Sequence, residues 1–211
     1  MLAFHNDPSL KEAKLAQVRA HEAADEVVKG RYWEGGKGCA VGCTVHSGEH
    51  GAYETEMGIP RMLARLEDRI FEGMSNEEAM RFPARFILAI RPGADLSLVS
   101  WRFLHWLVED VVTRHGTDNV KAATVDAIDV LRRRVAGELV GSVEANSAAQ
   151  TARNAVAADA ADAAYAAADA AYVAYAAAYA ADAAAYAAAD AARKSSYDRQ
   201  AEKLLELLGD A

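Results

Sequence analysis

The sequence predicts an all-α fold, a multi-helix bundle followed by a long Ala-rich C-terminal helical region. Apolar residues recur at helical spacing through most of the chain, and no run alternates polar with apolar as a half-buried strand would. Between Ala155 and Arg193, 26 of 39 residues are alanine and none is Gly or Pro. Alanine gives up no side-chain entropy on entering a helix, so this run is expected to be helical almost regardless of context.

Taken in order, Asp7-Pro8 reads as an N-cap followed by proline at the first helical position. The first helix is expected to run to about Val28 and to stop at Gly30. Residues 30–51 then hold seven of the fourteen glycines and both cysteines. Gly58-Ile59-Pro60 introduces a helix over Arg61 to Glu72. Ser75 with Glu78 forms a capping box for a short helix that Pro83 resets, and a buried helix follows from Pro83 to Ile90. Asp95 caps a strongly apolar helix, Leu96 to about His115, and Thr117 or Asp118 opens another. Gly141-Ser142 marks the composition break. It separates a globular helical domain, 1–141, from an Ala/Tyr-rich helical region, 142–211, packed on it or on another subunit.

In that region Tyr165, Tyr172, Tyr179 and Tyr186 recur every seven residues, and Tyr197 follows eleven later. A heptad drifts only about 20° on a straight helix, so the five rings form one slowly winding stripe. Asp162 and Asp169 lie beside it, and Tyr175 and Asp182 on its other flank. The tyrosines read as large knobs whose facing alanines permit close helix packing, or as the lining of a groove. One helix from Glu144 to Leu208 would span roughly 97 Å, against a radius of gyration of about 17 Å for a compact chain of this length. Tight antiparallel packing, within the chain or in a homo-oligomer, is therefore expected.

The chain has 211 residues, a formal charge of −8 and no basic block. Duplex nucleic acid, whose binding rests on neutralising phosphates, is a poor partner for it. The N-terminus lacks a basic region leading into an apolar core, and Asp interrupts the alanine run, so neither a signal peptide nor a membrane span is expected. Two cysteines four apart make no disulfide framework, and a reduced, cytoplasmic setting is the default.

Three clusters carry candidate chemistry. Cys39, Cys43, His46 and His50 are good zinc-ligand types. On a helix, however, the first and last would lie about 16 Å apart, so a single ion requires the segment to bend; the alternative is tight packing of free thiols. Gly35-Gly36-Lys37-Gly38 leading into a short helix suits an anion, with Tyr32 and Trp33 to stack on a base, Arg31 beside them, and His46 and His50 as donors. The spacing is not that of a P-loop. Along the apolar helix Trp101, Arg102 and His105 form a third group, in which His105 with Glu109 makes an i,i+4 pair and Asp110 with Arg114 a solvated one. No nucleophile-elbow, zinc-protease or kinase-type motif occurs, which leaves an enzyme without motif support.

The runs Gly36-Lys37-Gly38-Cys39-Ala40-Val41-Gly42-Cys43, Tyr53-Glu54-Thr55-Glu56-Met57-Gly58-Ile59-Pro60 and Leu66-Glu67-Asp68-Arg69-Ile70-Phe71-Glu72-Gly73, with the Ala/Tyr-rich tail, resemble an uncharacterised family of phage and bacterial helical proteins. That resemblance implies accessory, host-defence-related work, such as sequestering an immune signalling nucleotide. Residues and resemblance together lead to the expectation of a non-enzymatic binding protein with no cofactor. It would capture a small anionic, nucleotide-like ligand through Arg31, Tyr32, Trp33, Lys37, His46, His50, Trp101, Arg102 and His105. The alternative is a helical protein–protein interaction module, with zinc or simple packing fixing the Cys/His segment.

Overall fold

A computed structural model describes residues 1–155, 157 and 178–211 of the chain. The fold is all-α, with one two-stranded hairpin among the described residues. In chain order the elements are α1 Pro8–Ala23, β1 Trp33–Glu34, β2 Lys37–Gly38, α2 Ala40–Val45, α3 Ala52–Met57, α4 Arg61–Gly73, α5 Asn76–Ala89, α6 Val99–His115 and α7 Asp118–Val135. Residues 142–155 are helical again (α8), and α9 spans Ala178–Gly209. Tyr165, Tyr172, Tyr175, Asp162 and Asp169 fall outside the described residues. Among the described residues no helix is long and apolar enough to cross a membrane.

The chain divides into two compact units, Met1–Ser100 with Ala191–Ala211, and Trp101–Asp190. This division does not follow the composition break at residue 141. The Leu-rich end of α9 joins the first unit because it has an apolar face to bury there, through Ala201, Leu204 and Leu208. The Tyr197 ring sits on Gly73, where any side chain would collide with it. Arg85 also donates to both carboxylate oxygens of Glu202, at 2.7 and 2.9 Å. The core of this unit is Phe4, Tyr53, Met57, Ile59, Leu63, Ile70, Phe71, Phe82, Phe86, Ile87 and Ile90, all fully buried. Each such side chain stabilises the fold by about 1.5–3 kcal/mol over leaving it exposed.

Several caps form where the sequence places them. Asp7 accepts from Ser9 N–H ahead of Pro8, Ser75 from Glu78 N–H and Thr117 from Val120 N–H. Elsewhere tertiary structure overrides local signals. α1 ends at Ala23, not Val28, because Asp25 turns left-handed at φ 54. The β-branched residues after it then run extended, with Val28 N–H on the Gly38 carbonyl at 2.8 Å. Pro83 does not restart a helix. It sits inside α5 with Phe82 and Phe86 buried around it, a packing gain that offsets the missing N–H. Asp95 caps only a turn, through Ser97 N–H, and α6 starts at Val99. The N-terminal residues Phe4, His5 and Asn6 all have positive φ. This strain is held by full burial of Phe4 and by pairing of Ala3 with Ala94 and Gly93.

Candidate functional site

The Gly-rich segment folds as a hairpin seated on a short buried helix. Gly35 and Gly36 have φ 59 and 83, the double positive φ that a two-residue turn joining β1 to β2 requires. Gly38 and Gly42 are bare for another reason: a Cβ on either would overlap the Tyr32 carbonyl oxygen. At Gly48 a Cβ would come within 3.1 Å of the Tyr32 ring. Three glycines thus form a bed for Tyr32, and Cys39 N–H donates to the Arg31 carbonyl at 2.7 Å. Their role is packing, and the start of α2 offers no open anion cradle, since Ala40 to Thr44 are buried.

The exit of α2 builds a polar cluster. Lys14 and Gln17 of α1 reach its last carbonyls, Lys14 to Thr44 at 3.0 Å and Gln17 to Cys43 at 2.7 Å, where cationic and amide donors suit a helix C-terminus. His46 closes the helix in a left-handed conformation, φ 52. That turn lays its ring on Trp33, stacked at 4.4 Å with 20° between planes. His21 of α1 stands edge-on to both rings, 5.3 Å from Trp33 and 5.1 Å from His46. Its Nδ1 meets Glu26 at 2.6 Å and its Nε2 meets His46 Nε2 at 2.9 Å. With the Nδ1 proton of His21 turned to the carboxylate, His46 Nε2–H is the donor between the rings. Burial, then His21 and Lys14, push His46 below the ordinary imidazole value.

A second cluster lies around Tyr32, which is half exposed. His50 stands edge-on to its ring at 5.7 Å and pairs with Asp68 at 3.3 Å. Asp68 and Glu72, with Gly30, Arg31, Tyr32 and Cys39, line a cavity of about 240 Å³. Glu72 is taken up by Gly30 N–H, at 3.0 Å. Behind this cluster, buried Glu67 accepts from Tyr53 Oη at 2.7 Å, and burial raises its carboxyl to about 8.

The four zinc-ligand candidates separate. Cys43 donates its thiol to the Gly38 carbonyl at 3.3 Å, His46 is held by Trp33 and His21, and His50 by Asp68. Burial lifts the Cys39 and Cys43 thiols to about 12 and about 11, so with no metal bound both are neutral thiols at physiological pH. Among the described residues no three His, Cys, Asp or Glu side chains form a group able to hold a metal ion.

Of the nine residues expected to bind a ligand, Arg31, Tyr32, Trp33, Lys37, His46 and His50 share the hairpin and α2 region, split between the Trp33 and Tyr32 clusters. Arg31 is paired with Glu34 at 3.4 Å and exposed, and Lys37 is exposed opposite Glu34 in the hairpin register. Trp101, Arg102 and His105 belong to the second unit. There the Arg134 guanidinium lies 4.9 Å over Trp101, His105 pairs with Glu109 at 3.3 Å, and Arg114 with Asp110 at 2.6 Å. His21, Glu26 and Asp68 were not singled out from the sequence. Nothing in their spacing signals them: His21 reaches His46 across 25 residues and Asp68 reaches His50 across 18, while Glu26 enters through His21.

The second unit has a feature of a different kind. α6, α7 and α8 flank a groove of about 850 Å³, with Trp101, Val111, Leu131, Ala145, Ala149 and Ala152 among its lining. Among the described residues Arg153 is the only charged one in that lining. Nearby in sequence, Val111 and Val125 are 43% and 59% exposed, and Leu139 and Val143 are exposed more fully still. Compared with protein-family models, curated proteins and solved structures, the chain matches none.

Proposed function

We propose that the chain is a helical interaction module, without chemistry of its own, that works as a homo-oligomer. The apolar groove of the second unit receives a helix from a second copy. The groove itself is the observation that carries this reading. Its volume falls within the range of small-molecule pockets, but such pockets carry a few placed polar groups that orient the ligand. Here the hydroxyl of Thr124 is spent on the Val120 carbonyl at 2.9 Å, which leaves Arg153 alone. Among the described residues three helices border an apolar trough and leave the place of a fourth. Ala145, Ala149 and Ala152 give its α8 wall the small side chains that let another backbone approach. Exposed valines and leucine in the same unit add to an apolar surface of the kind that marks a contact site, and self-association through a symmetric interface is the commonest way such a surface is covered.

Capture of a small anionic, nucleotide-like ligand, the function first expected from the hairpin, draws less support. Arg31 and His50 already face carboxylates, and the glycines are filled by Tyr32.

Val111→Asp and Ala149→Glu each put a charge on the groove wall. Sedimentation of the wild-type chain is expected to show self-association that either variant weakens at least tenfold, with helix content unchanged by circular dichroism. A wild-type chain that stays monomeric at all concentrations, or variants that associate as it does, would remove this reading.

A further inference from the structure

The Glu26–His21–His46 chain is not used by the docking groove, and its geometry is that of a proton-sharing pair. The ring centroids of His21 and His46 are 5.1 Å apart while their Nε2 atoms are 2.9 Å apart. The first distance falls just short of the second plus the two ring radii, its upper limit, so the rings meet nearly head-on. Two ligands of one metal ion would instead converge on a point to one side. Between the facing nitrogens there is room for one proton.

We propose that this pair is an acid-operated latch on the Trp33 hairpin. In the neutral pair His21 Nδ1–H donates to Glu26 and His46 Nε2–H donates to His21 Nε2. The first proton taken up leaves the bond intact: it enters at His46 Nδ1 as the shared proton passes to His21 Nε2, so His46 stays neutral and accepts, and His21 becomes the imidazolium, donating to Glu26 and to His46 Nε2. The second sets N–H against N–H, with two positive charges at contact distance. The bond is then lost, and the rings must separate. Both imidazoles touch Trp33, so separating them undoes the stack that holds β1 over α2.

The charged groups around the pair do not relieve the doubly protonated state. From α1, Lys14 adds a positive charge, held by Glu56 of α3 at 2.7 Å. From the extended segment, Glu26 answers one imidazolium only. From the hairpin, Arg31, Glu34 and Lys37 are exposed, with Arg31 and Glu34 paired to each other, and α2 itself carries no charge. The two protons therefore bind as a coupled system, the second well on the acid side of the first. The depressed basicity of His46 agrees with this order.

Amide hydrogen exchange reads the latch directly. Gly38 N–H is bonded to the Glu26 carbonyl at 3.0 Å and Cys39 N–H to the Arg31 carbonyl at 2.7 Å, so both report hairpin seating. From pH 7.5 to 4.5, after correction for intrinsic rates, their protection is expected to fall about tenfold while the amides of α5 keep theirs. In H21Q and in H46Q the doubly charged pair cannot form, and protection becomes independent of pH. H50Q, which alters the separate pair with Asp68, keeps the wild-type response. Unchanged protection in the wild-type chain overturns the latch, and so does the same acid loss in H21Q or H46Q.

Discussion

Glu67 carries a burial penalty in the first unit. Its carboxyl is fully buried, with one oxygen on Tyr53 and the other without a partner, and its folded value of about 8 lies above the ordinary 4.5. Below the lower value both folded and unfolded chains hold the proton, and the group is neutral to stability. As pH rises towards 8 the unfolded chain sheds its proton first, so stability falls, by something on the order of 3 kcal/mol at pH 7. Glu67→Gln, which has no proton to lose, should flatten the decline in melting temperature between pH 5 and 8; a variant that declines as the wild type does would show that Glu67 is not its source. The cysteines give a second check at this scale. Buried and held at about 12 and 11, Cys39 and Cys43 should resist alkylation by iodoacetamide at pH 8 in the native chain and react within minutes once it is denatured. Rapid native labelling would mean that the hairpin seat is open.

At the scale of the element, the hairpin and α2 depend on absent side chains. Gly42→Ala drives a methyl into the Tyr32 carbonyl, a backbone atom that cannot swing aside, and should cost about 3 kcal/mol or more in denaturant unfolding. Gly51→Ala meets nothing within 4 Å and should stay within about 0.5 kcal/mol of wild type. Equal losses at the two positions would show that helix and loop propensity, not the Tyr32 bed, sets the glycine pattern. Glycine's two uses also mark the limit of what was legible. Density of glycine located the segment, and Gly-Gly between Glu34 and Lys37 is itself a hairpin signal, but the same residues read equally as an anion loop until Tyr32 is seen lying on them. Caps at Asp7, Ser75 and Thr117 were readable because a cap is a local bond between neighbours in sequence. The end of α1, the start of α6 and the continuity of α5 through Pro83 were not, since each is decided by backbone turns and packing that cap and proline rules do not capture. His21 joins His46 by the same kind of contact, and no spacing rule reaches across it.

For the whole molecule, helix periodicity and alanine content made the fold class readable, whereas the partition into units was hidden. Composition breaks at 141, but Leu204 and Leu208 return to the first unit because apolar faces are matched by shape rather than by position in the chain. The groove was hidden for a related reason: Trp101, Val111 and Leu131 look like core residues, and only the packing of α6, α7 and α8 shows that they line a groove among the described residues. An interaction module covered by its own second copy and a sponge holding a small anion differ in one observable. Native mass spectrometry of the full-length chain purified from cells, followed by denaturation, reads both mass and retained ligand. The interaction-module account predicts a particle of two or more 22.6 kDa chains that releases no small molecule. A monomer that yields a phosphorylated compound on denaturation would contradict it.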